Sequence, residues 1–146
     1  MTTLPALAAL CGSSAAALAD LRTGYIPDAV TRTTALVALA FAAAAGAAPA
    51  ACGGAWAVGG TLLGLHLMTR GRGIGLGDVK LGSAIGAGLG APAGLVALGA
   101  AFVAGATYAA WLLIVRRARR GDEIRFGPFL AAGTLLAAFV PADVLR

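Results

Sequence analysis

Charge is scarce in this sequence. Only 12% of its 146 residues are Asp, Glu, Lys or Arg, against 60% hydrophobic residues. A water-soluble domain of this length has too much surface to cover with so few charges, so the composition excludes one. Intrinsic disorder is excluded as well, because the chain is apolar rather than polar. Cysteine is limited to Cys11 and Cys52, each alone in an apolar stretch. Without a CxxC there is no redox motif and no zinc site, and both thiols read as small buried hydrophobes. The one histidine, His66, lies inside an apolar segment and reads as a packed or interfacial imidazole. No HExxH and no Ser–Lys arrangement is present. No glycine-rich loop ends in GK[ST], which removes the phosphate-loop reading. The opening "MTTLPALAALCGSSAAALAD" ends in a stretch resembling a cleavage site, but it has no basic region before its apolar run. It is therefore a first membrane helix rather than a secretory signal. Internal repeats and soluble insertions are also missing, which leaves residues 1–146 as one membrane-embedded domain.

What remains is alanine, glycine and six apolar segments, at 4–19, 29–47, 50–69, 79–91, 93–115 and 128–143. Small residues let helix backbones approach closely in lipid, so the expected fold is an all-α polytopic membrane bundle of about six transmembrane segments. A span needs about 20 apolar residues. The second, third and fifth segments reach that; the first, fourth and sixth are short. Short segments thin the bilayer locally or sit partly in an aqueous cavity. Glycine and proline mark the breaks, in "AAGAAPAACGG" and in "LGAPAG" at 89–94.

The basic residues are not spread evenly. Arg22 and Arg32, then Arg70, Arg72 and Lys80, then Arg116, Arg117, Arg119, Arg120 and Arg125 fall at alternate connections. These are ten of the eleven, and only Arg146 lies on the other side. Clusters between apolar runs argue against nucleic acid as a partner and for a lipid bilayer. The positive-inside rule places the three basic connections in the cytoplasm and both termini outside.

Six acidic residues are present. Asp122 and Glu123 share the Arg-rich connection and read as solvated charges. Asp143 reads as part of a solvated terminus. Asp28 follows Ile26-Pro27 and opens the second helix, where it reads as an N-cap. Asp20 and Asp78 differ: one ends the first helix and the other opens the fourth, so the topology puts both at one depth, near the cytoplasmic face. Water is available there, and the cost of a carboxylate is lower than mid-membrane. Two carboxylates that meet cannot both ionise easily, so one activates water while the other protonates the carbonyl under attack. On spacing alone, a helix cap at Asp78 and a membrane boundary at Asp20 serve equally well. The glycines before Asp78 bear on the choice. Gly73, Gly75 and Gly77 recur at every second position, which suits an extended segment beside which a peptide substrate lies as a strand.

Three blocks, "DLRTGYIPDAVT" (20–31), "GIGLGDVKLGSAIGAGLG" (73–90) and "IRFGPFLAAG" (124–133), resemble the type IV prepilin peptidases, which are polytopic aspartic peptidases of the GxGD type. The resemblance implies that Asp20 and Asp78 are the catalytic pair. Gly75 and Gly77 match the GxGD glycines, and Pro27 with Asp28 matches the Ile-Pro-Asp/Asn segment. Lys80 matches the lysine after the second aspartate. It holds the loop, pairs with a carboxylate, contacts substrate, or is simply an interfacial lysine. Gly127 and Pro128 lie in the "FGPF" turn, read as scaffold for the site with Pro128 at the first helical position. The family implies a prepilin-like substrate with a short basic leader and an apolar helix, cleaved on the cytoplasmic side of the inner membrane, with no metal and no cofactor. Longer members carry an N-terminal extension with cysteine pairs. The first block here begins at Asp20, so a peptidase-only form of the Flp or Tad kind is expected. Two rivals stay in view: another GxGD intramembrane protease, and a small ion or proton transporter using the same two aspartates.

Overall fold

The computed structural model describes residues 3–115 and 125–140. Those residues form six α-helices and no strand: α1 (Thr3–Thr23), α2 (Asp28–Ala44), α3 (Ala48–Met68), α4 (Leu76–Leu89), α5 (Ala91–Ile114) and α6 (Gly127–Ala138). Proline sits in the first turn of α3, α5 and α6, where its missing N–H has no intrahelical partner to lose. Gly90 alone joins α4 to α5, at φ +79°, a backbone region open to glycine.

The bundle is built around α4, which touches each of the other five helices. Leu81, Ala84 and Ile85 are fully buried on it, and Leu62 of α3 and Leu130 of α6 join the same core. Most of the remaining interior is alanine and glycine. A methyl added at Gly54 of α3 would collide with the carbonyl oxygen of Gly86 on α4, and the reverse holds at Gly86. α6 meets α5 in the same way, because a methyl at Gly133 would strike the carbonyl of Ala97. Backbone-to-backbone contact of this kind is how helices gain packing energy where lipid supplies no hydrophobic drive. The large apolar side chains point outward instead: Trp56 and Phe139 are 80% exposed and Val103 68%. Apolar outside and small inside is the pattern of a bundle solvated by lipid.

The expected order and number of segments are met, but their lengths differ. α1, α3 and α5 are long and apolar enough to cross a membrane. α1 runs to Thr23, not 19, because Leu21–Thr23 are helix-compatible even though they are not uniformly apolar; Thr23 Oγ1 also bonds the Ala19 carbonyl at 2.9 Å. α2 reaches only 17 residues and stops at Ala44, just before Gly46 turns to φ +71°. Cys11 and Cys52 are exposed rather than buried, since both lie on outward helix faces. Asp122, Glu123, Asp143 and Arg116–Arg120 lie outside the described residues.

Candidate active site

Three chain segments converge at one end of the bundle. The first is the C-terminus of α1. Asp20 sits one turn before its end and is only 6% exposed. Gly24, at φ +71°, closes the helix by donating its N–H to the Asp20 carbonyl at 2.8 Å. Ile26 then buries itself, and Pro27, at φ −64° and ψ 132°, takes the N-cap position of α2.

The second segment joins α3 to α4. His66 Nδ1 lies 2.7 Å from the Ile74 carbonyl, which ties the connection back onto α3. Arg70 and Gly71 turn the chain at positive φ. Gly75 is the extended N-cap of α4, at ψ 155°. Asp78 is the third helical residue, and its Oδ2 accepts the Gly75 N–H at 3.2 Å. This is the returning half of a capping box, the only half available when the cap is glycine. Extended backbone is confined to Gly75, since residues 69–71 form a turn and 72–74 a bend. Gly77 lies inside α4, contrary to the strand-like reading of the alternating glycines, because the helix has already begun at Leu76. Gly77 instead gives room to Ile26, whose Cβ would be 3.3 Å from a methyl there.

The third segment is the start of α6. The Gly127 N–H donates to Asp20 Oδ2 at 3.1 Å. Arg125 donates to the Leu21 carbonyl at the end of α1. Phe126 is the N-cap and Gly127 the first helical residue, so Pro128 falls second rather than first, still within the turn that tolerates it.

These segments enclose a cavity of about 560 Å³ that Asp20 and Asp78 both line. Arg72, Arg125, Tyr25 and Phe126 contribute to its wall, as do Phe102 and Gly105 of α5. A pair of carboxylates facing one cavity, each anchored by a backbone amide, is equipped for general acid–base chemistry on a bound carbonyl and water. Lys80 and Asp28 form a neighbouring pair, with Nζ 2.6 Å from Oδ1. Arg32 reaches the other oxygen of Asp28 at 3.3 Å. Asp28 is thus not an N-cap: it is the first residue of α2 and makes no capping bond. Of the roles open to Lys80, the structure shows the ion pair with a carboxylate. Sequence reading passed over the wall that α5 supplies, Phe102, Gly105, Ala106 and Ala109, because nothing local marks those residues.

No curated protein and no solved structure shows a significant match to the chain. A family model does: the type IV leader peptidase family, over residues 7–110. That stretch contains Asp20, Asp78, both GxGD glycines and Lys80, and it ends before the "FGPF" turn. Spanning most of the chain and both aspartates of the cavity, the match shows that this protein belongs to the type IV leader peptidase family.

Proposed function

We propose that the protein is an aspartic endopeptidase that removes the leader peptide from prepilin-like precursors at the cytoplasmic face of the inner membrane. The observation that carries this reading is the meeting of Asp20 and Asp78, from opposite ends of two different helices, on one cavity. One ionised carboxylate takes a proton from water as its oxygen attacks the scissile carbonyl. The protonated partner gives its proton to the carbonyl oxygen. Collapse of the tetrahedral species then breaks the C–N bond, and a proton passes to the leaving amine, so no covalent enzyme intermediate forms. The bend at 72–74 and Gly75 line the cavity ahead of α4, and the bare backbone of Gly73 and Gly75 leaves room for a substrate backbone alongside. The clustering of Arg22, Arg32, Arg70, Arg72, Lys80 and Arg125 at the aspartate end supports a cytoplasmic site.

Cleavage of a co-expressed prepilin tests the reading. Asp20→Asn and Asp78→Asn each keep size and hydrogen bonding but remove the acid–base group. Each should abolish cleavage while leaving membrane insertion intact. The double variant should be no worse than either one alone, because residues that act as a unit are not additive. Substantial turnover by a well-folded Asp78→Asn protein would remove the aspartate pair as the catalytic machinery; wild-type protein unable to cleave would remove the peptidase reading.

A further inference from the structure

The two aspartates are held differently. Asp78 is tied within its own helix turn, by an amide three residues away. Asp20 is held from across the fold, by the amide of Gly127, 107 residues later. Gly127 is itself buried and stands first in α6. The first N–H groups of a helix have no intrahelical partner, so this donor is free for Asp20. The same position leaves no room for a side chain, since a methyl at Gly127 would lie 2.7 Å from Asp20 Oδ2 and 3.1 Å from its Cβ. Neighbouring contacts fix α6 where it is needed. Arg125 binds the end of α1, and Gly133 packs against the backbone of α5.

We propose that Gly127 is a positioning residue of the reaction: its N–H pins one oxygen of Asp20, which sets the direction in which the other faces the cavity. α6 is then part of the machinery rather than scaffold alone. A carboxylate with one oxygen fixed can turn only about that bond, and catalysis is sensitive to such placement: a 1 Å error costs about a hundredfold. The inference rests on the peptidase reading for the role of Asp20, though the bond itself can be measured without substrate.

The cleanest test replaces the amide at 127 by an ester, by incorporating glycolic acid in cell-free translation. This N–H serves no helix bond, so the ester removes the donor to Asp20. It also weakens the Phe126 carbonyl, which accepts the Phe129 and Leu130 N–H groups at 3.1 Å, and an Asp20→Ala background separates the two effects. Cleavage should show kcat reduced about tenfold or more, with KM within about twofold, the signature of an interaction used in the transition state. Gly127→Ala should behave alike or worse, and Gly99→Ala, on an open face of α5, should match the wild type. A second measurement uses no substrate. The ester should lower the unfolding temperature in detergent by a few degrees, and this loss should shrink markedly in an Asp20→Ala background, where only the weakened Phe126 carbonyl remains. Wild-type kcat in the ester variant, or an unfolding loss undiminished without the Asp20 carboxylate, would overturn the proposal. Failure of the peptidase reading shows separately, as wild-type protein unable to cleave a prepilin.

Discussion

Lys80 and Asp28 join the second turn of α4 to the first turn of α2, and Asp78 stands two residues from that link. Both side chains are partly exposed, so the pair contributes little to stability. Its consequence lies in placement, because it ties the turn that carries Asp78 to the turn that carries Ile26. We expect Lys80→Met and Asp28→Asn each to lower cleavage roughly two- to tenfold, well short of the aspartate variants, and the double variant to be no worse than either. A lysine that contacts substrate would instead cost more in the Asp28→Asn background, and a double-mutant cycle on kcat/KM separates the two. This reverses what the sequence suggests for Asp28, where a cap would make Asn a silent change. The reason is physical. Pro27 already holds the extended backbone that an N-cap needs, which moves Asp28 one place into the helix. A partner 52 residues away leaves no trace in local spacing. Asp20 and Asp78 stood out because carboxylates are rare in so apolar a chain; Gly75 and Gly127 stood out through the resemblance, but not as amide donors to them, because any residue but proline carries an N–H.

Adjacent glycines on α3 have opposite duties. Gly53 has nothing near the place a methyl would occupy, whereas Gly54 lies against the backbone of Gly86 and Gly90. Gly53→Ala should therefore stabilise the helix, by about 0.5–1 kcal/mol, through lower backbone entropy in the unfolded chain. Gly54→Ala should destabilise by roughly 1–3 kcal/mol, since α3 and α4 must part to admit the methyl. Unfolding of the two variants in mild detergent measures both signs. The count and order of helices could be read from apolar runs. Their ends could not, because hydropathy marks where lipid lies and hydrogen bonding continues past it. α1 therefore outruns its apolar stretch, and α2 stops short of its own at a left-handed glycine. Nor does hydropathy rank the helices by burial. α4, at 14 residues, is shorter than all but α6 and is the central element.

Taken together, the connections α1–α2 and α3–α4 and the start of α6 share one end of the bundle, and that end carries the charge. In a protein with Cys11 and Cys52 changed to alanine, a cysteine at Ala47 should react with an impermeant reagent in intact cells. One at Arg72 should react only after the membrane is opened. Labelling at 72 but not at 47 would invert the orientation drawn from the basic residues. The charge bias made this end recognisable from the sequence, whereas the cavity needed the fold, since its wall draws on α1, α4, α5 and three connecting segments. The holding of both aspartates by backbone amides has a consequence for genetics. A scan that trims side chains to alanine finds the two carboxylates and passes over their supports, because trimming never removes an N–H. The two supports then differ where atoms are added: a methyl at 127 runs into Asp20, whereas one at 75 meets Asp78 at an ordinary contact distance of 3.4 Å. Tolerance in this chain is lopsided, with Gly127 resisting growth far more than the larger residues of the lipid-facing surface resist loss.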